Sequence, residues 1–148
     1  MRILVRGGRN FGMSRGFALW SPSDNADRRR VAADRALLDA TLSQYCSTGL
    51  EIIVHGAAKG ADTLAERWAN KRGHQTMRFH ANWYPNGRSG GLDRSAGPKR
   101  NQQMVDEANP DLVIAFPGGV GTADMVTRAK AANIKVIEIA SIGTENAA

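Results

Sequence analysis

Five short apolar runs punctuate the chain, separated by amphipathic stretches of helical length: Ile3–Val5, Glu51–His55, Gln75–His80, Leu112–Phe116 and Ile134–Ala140. Leu112–Phe116 has no polar interruption, the pattern of a parallel strand buried on both faces. The periodicity of the intervening segments predicts four helices. The first runs from about Ala26 to Tyr45, with Val31, Leu37, Leu38, Ala40 and Leu42 inward and Gly49 closing it. The second covers about Ala61 to Arg72, with Leu64, Ala65 and Trp68 inward. The third starts near Pro98, where proline suits a helix start, and carries Met104 and Val105. The fourth follows Thr122 to about Asn133. Strict alternation of strand and helix implies right-handed crossovers and a mostly parallel sheet of about five strands. The expectation is one three-layer, Rossmann-like α/β domain over residues 1–148.

Glycines gather where the strands end. Gly7 and Gly8 follow the first strand, Gly56 and Gly60 the second, and Pro117, Gly118, Gly119 and Gly121 the fourth. In a parallel sheet all three turns fall on one edge, where open α/β sheets hold their ligands. A strand, a glycine turn and a helix start together suit phosphate, because backbone N–H groups approach closely and the first helical turn favours negative charge. Each turn also has a plain reading as a tight connection; their convergence favours a ligand.

The residues beside these turns are the candidates for binding. Arg9 could offer a planar guanidinium to phosphate or carboxylate. Lys59 is either a phosphate-facing charge or solvated. Thr122 is either an N-cap or a ligand contact, and Asp62 either caps amides or reaches a ligand hydroxyl. His55 is either a buried, hydrogen-bonded ring or a site residue. The first turn is not GxGxxG and lacks the acidic ribose partner, so no bound dinucleotide cofactor is expected.

Two long connections break the alternation. Residues 10–28 mix glycine and serine with Phe11, Phe17, Leu19 and Trp20, which suggests a lid or contact surface. Residues 85–98 are rich in Gly, Ser and Arg and read as a mobile loop, and the tail from Ser141 reads as frayed.

A length of 148 residues suits one self-sufficient core. The formal net charge of +6 favours anionic partners without choosing among nucleotides, nucleic acid and acidic surfaces. The few, scattered aromatic residues argue against a nucleic-acid groove. Cys46 is the single cysteine, which fits a reducing cytosolic compartment and leaves no thiolate metal site. His74 and His80 lack metal-ligand spacing, so no metal is expected. There is no signal-peptide pattern and no apolar run of membrane length.

KRNQQM (residues 99–104), VIAFPGGVGT (113–122) and HGAAKGAD (55–62) together resemble the SLOG superfamily, the Rossmann-like group of the LOG phosphoribohydrolases and the DprA-type DNA-processing domain. HGAAKGAD and FPGGVGTADM look closer still to a small bacterial and phage branch of it. The resemblance implies a nucleotide-type ligand over the PGGxGT turn, with Lys99 and Arg100 as its basic pair. It also implies a homodimer or higher homo-oligomer, with residues 10–28 and 83–97 as contributors. In LOG enzymes the arginine matching Arg100 acts with a glutamate three residues past the motif threonine to hydrolyse the N-glycosidic bond of a nucleoside monophosphate. That position here is Met125, and neighbouring Asp124 is rotated by about 100° along a helix. Three expectations follow. The first is a nucleotide or nucleotide-second-messenger binder, including NAD-derived ligands. The second is a phosphoribohydrolase in which Asp62, Asp93 or Asp124 supplies the carboxylate beside Arg100. The third is a DNA-associated protein.

Overall fold

The computed structural model describes residues 1–14 and 22–140. Five parallel strands form one sheet: β1 (Arg2–Arg6), β2 (Ile52–His55), β3 (Gln75–Arg78), β4 (Leu112–Ala115) and β5 (Lys135–Glu138), in the order β3-β2-β1-β4-β5. Four α-helices connect them: α1 (Pro22–Ser43), α2 (Ala61–Lys71), α3 (Ala96–Ala108) and α4 (Val120–Ala131). This is the Rossmann-like three-layer arrangement that the alternation predicts. The chain builds outward from β1 to β3, then crosses back to β4 on the other side of β1. The carboxyl ends of β1 and β4 therefore flank the switch point of the sheet, where α/β folds leave a crevice.

The pleat sorts side chains into two layers. Ile3, Val5, Ile53, Leu112 and Ile114 face Leu38 and Leu42 of α1 and Leu64, Ala65 and Trp68 of α2. Leu4, Val54 and Val113 face Met104 and Val105 of α3 and Met125 and Ala129 of α4. β1, β2 and β4 are buried over most of their length, whereas β3 and β5, the edges, keep exposed ends. Ile3 pairs with Ile53 on one side and Leu112 on the other, a register that aligns the three strand ends carrying the glycine turns.

Several boundaries differ from the sequence expectation. α1 begins at Pro22, so the first connection is shorter than residues 10–28; residues 15–21 of it, and with them the expected lid, lie outside the described residues, as does the tail 141–148. α3 starts at Ala96, which makes Pro98 its third residue; a proline fits there because the N–H groups of the first turn have no helical acceptor. Within residues 85–98, Arg88–Gly90 form a 3₁₀ turn. α3 closes on Asn109 in the left-handed conformation (φ 47°). No helix among the described residues is long and apolar enough to cross a membrane.

Candidate functional site

The strand-end turns border one cleft of about 1010 Å³ at the carboxyl edge of the sheet. Its centre is organised by Arg6, the last residue of β1, which is 4 % exposed. Arg6 Nη1 donates to Asp62 Oδ2 at 2.7 Å, and the same oxygen accepts the N–H groups of Gly56 at 2.8 Å and Ala58 at 3.4 Å. Asp62 is wholly buried, makes no cap bond to α2 and is absent from the cleft wall. It ties the β2 turn to β1 instead. In that turn Ala57 holds φ 56°, a conformation uncommon for a residue with a side chain.

Arg100 reaches the cleft from α3. Its Nη1 donates to Gly56 O at 2.6 Å and its Nε to Asn101 Oδ1 at 3.2 Å. Gly56 is thus held from both sides, its N–H by Asp62 and its carbonyl by Arg100. Burial and the neighbouring positive charges of Arg6 and Arg9 lower the Arg100 pKa to about 10, against the opposing pull of Asp62. The group stays charged at neutral pH but is undercompensated, a condition that an arriving anion relieves.

The amino end of α4 forms the opposite wall through Gly119, Val120, Gly121 and Thr122. Gly119 is the N-cap residue and the helical ladder starts with Ala123 N–H donating to Gly119 O. The amides before Ala123 are therefore those with no intrahelical acceptor. Thr122 is the third helical residue rather than the N-cap, and no side chain caps the helix. The β1 and β4 turns are pressed together: Gly8 N–H donates to Pro117 O at 2.9 Å, and a Cβ on Gly118 would lie 2.4 Å from Thr122 Oγ1. The Gly8 amide and the Pro117 carbonyl are thereby committed to each other. Gly60 is locked too, with φ 88° and a would-be Cβ 2.0 Å from Gly8 O.

The structure thus gathers Gly7, Gly8, Arg9, Gly56, Lys59, Arg100, Gly119, Gly121 and Thr122 around one cleft. Gly60, Pro117 and Gly118 are not among its lining residues: Gly60 is buried, Pro117 half-buried and Gly118 exposed. Lys99 is exposed and pairs with Asp93 at 3.2 Å, away from the wall. His55 is buried on the α2 side: its Nδ1 accepts the Ala57 N–H at 3.0 Å, so Nε2 carries the proton toward Glu66 Oε1 at 3.1 Å. Glu66 also accepts from Arg78. Burial pushes the Glu66 carboxyl up, but these two partners more than reverse it and hold it below the usual range.

Asp124 and Met125 part company on α4. Met125 is fully buried in the core layer with Leu4 and Val113, whereas Asp124 lines the cleft. Asp124 Oδ2 accepts from Arg128 Nε at 2.8 Å and Asn101 Nδ2 at 3.0 Å. Burial raises the Asp124 pKa; those hydrogen bonds and the charges of Arg128 and Arg6 outweigh it and hold the group below 3.8.

Sequence reasoning did not single out Arg6, His80 and Asn101 as site residues, and reached Asn10, Trp83 and Arg94 only as parts of the contributing ranges 10–28 and 83–97; all six border the cleft. Arg6 left one signal, a charge ending an otherwise apolar strand. The wall carries Arg6, Arg9, Lys59, Arg94 and Arg100 against the single acid Asp124, so the cleft suits an anion.

The chain is 40% identical over 93 residues to the Gene 61 protein of Mycobacterium phage D29, an alignment covering 58% of this chain and 69% of that protein. A family profile described as the YspA, cpYpsA-related SLOG family matches residues 1–84, from β1 through Tyr84. That match takes in the β1 and β2 turns, Arg6 and Asp62, and stops short of α3 and α4. It spans more than half of the chain, which therefore belongs to the YspA, cpYpsA-related SLOG family.

Proposed function

We propose that the chain binds a nucleotide or nucleotide-derived small molecule at the carboxyl edge of its sheet. The observation that carries this reading is the meeting of Arg6, Arg100 and the uncommitted first-turn amides of α4 in one cationic cleft. Two guanidinium groups with one buried carboxylate between them leave net positive charge, and helix amides supply directed donors for phosphate oxygens. Membership in a SLOG family supports a nucleotide-related ligand in general. The ligand's sugar-phosphate would lie against α4 and Arg100, with the β1 and β2 turns along its flank.

A second reading, hydrolysis of a nucleoside monophosphate at its N-glycosidic bond, draws on Asp124 lining the same cleft as Arg100. Such a reaction needs a carboxylate to steady an oxocarbenium-like state and to activate water. Asp124 is committed to Arg128 and Asn101 through one oxygen and its pKa is held down, which suits charge stabilisation better than proton abstraction. Binding is therefore the preferred reading. The test is incubation of pure protein with nucleoside monophosphates, NAD and cyclic ADP-ribose isomers, followed by chromatography. Ligand recovered intact from a saturable complex supports binding, released base or nicotinamide supports hydrolysis, and no retention of any member refutes both.

A further inference from the structure

Trp83 belongs to neither core layer, unlike Trp68, which is 5 % exposed and packed under α2. It is half-buried and lines the cleft. Its ring edge rests on the start of α3, where a Cβ on Gly97 would lie 3.1 Å from Cη2. Its backbone is anchored by the Asp93 N–H, which donates to Trp83 O at 2.7 Å. Arg9 places its guanidinium carbon 5.9 Å from the ring centroid, and no carboxylate among the described residues pairs with it. The ring is therefore held at its edge and backbone, with the Arg9 guanidinium over one of its faces.

A cleft that sets an indole beside its charged side chains differs from a simple anion hole. Phosphate alone gains nothing from an indole. A planar heterocycle gains stacking on its face, in the way that single-stranded nucleic-acid proteins hold bases on aromatic side chains. We infer that Trp83 is the plate on which the nucleobase of the bound ligand stacks, with Arg9 as the neighbouring planar group. This rests on the nucleotide-binding reading above and adds to it that the base, as well as the phosphate, is gripped. Trp83 acts on affinity and on the distinction between ligands with and without a base.

The experiment is calorimetric titration of wild type, Trp83→Ala and Trp83→Phe. The probes are adenosine, guanosine, cytidine and uridine 5′-monophosphates, and ribose 5-phosphate. Stacking worth about 1–3 kcal/mol predicts that Trp83→Ala weakens the best nucleoside monophosphate about 5- to 150-fold. Ribose 5-phosphate affinity should stay within about twofold, and Trp83→Phe should keep most of the nucleotide affinity by retaining an aromatic face. Equal losses on nucleotide and ribose 5-phosphate would mean that Trp83 only shapes the cleft, and the inference falls. Wild type binding ribose 5-phosphate as tightly as every nucleotide also overturns it, while leaving the cleft a sugar-phosphate site. Wild type binding none of these probes, and neither NAD nor the cyclic ADP-ribose isomers, refutes the nucleotide reading and this inference with it.

Discussion

Asp62→Asn removes the negative charge that Arg6 meets at 2.7 Å, in a pair whose side chains are 5 % and 0 % exposed. Asp124, the other carboxylate that feels Arg6, is already committed to Arg128 and Asn101. Arg6 would keep its burial and face the Arg100 guanidinium with its main counter-charge gone. Breaking a buried pair by removing one partner costs about 3–5 kcal/mol, because the remaining ion is left uncompensated. Against a total stability of about 5–15 kcal/mol for a domain, this is a large fraction. At about 2–4 °C per kcal/mol for a chain of this size, melting should fall by about 6–20 °C. The assay is urea unfolding followed by far-ultraviolet circular dichroism, read as a shift in midpoint at unchanged slope. Asp39→Asn serves as the control, since the Arg72–Asp39 pair is 33 % and 54 % exposed and should change stability by less than about 1 kcal/mol. If Asp62→Asn is as mild as that control, Arg6 escapes to water freely. The idea of a rigid cationic centre under the cleft would then be wrong.

Gly118→Ala should destabilise by about 1–3 kcal/mol, because its methyl would sit 2.4 Å from Thr122 Oγ1 and 2.6 Å from Gly8 N. Gly119→Ala, whose added carbon meets nothing within 4 Å, should melt nearly as wild type yet lose nucleotide affinity by crowding the α4 amides; thermal melts and calorimetry read the two effects separately. Arg100→Ala should leave a folded protein whose affinity for nucleoside monophosphates falls about tenfold or more in calorimetry, the loss expected for one charged hydrogen-bond donor. Acid unfolding should carry the signature of Asp124. Its folded pKa lies below the ordinary 3.8, so its pairing stabilises fully above that value and is lost as pH falls through the lower one. The stability gap between wild type and Asp124→Asn, measured by urea midpoints from pH 7 down to pH 3, should therefore hold down to about pH 4 and narrow below it. A gap that stays constant across that range would contradict the assignment.

Hydrophobic pattern alone determined much of this protein. The continuous run Leu112–Phe116, the strand–helix alternation and the glycines after β1, β2 and β4 specify a parallel sheet with its turns on one edge, because these depend on local periodicity and chain connectivity. Which candidates face the cleft was decided by packing. Parity along the pleat turns His55 to the side of Ile53, toward α2 and Glu66, whereas Arg6, ending β1, reaches Asp62 at the start of α2 and lines the cleft. Helical rotation puts Met125 in the core and Asp124 at the cleft, a division that a motif written along the chain does not display. Asp62 looks like a helix-start acid in sequence, yet its role depends on Arg6, a residue 56 positions away. Trp83 takes its place at the cleft with its ring edge seated against Gly97, the second residue of α3. Periodicity tells which residues a strand or helix must bury, but a charged or aromatic side chain at an element's end takes its meaning from whatever the fold brings opposite it.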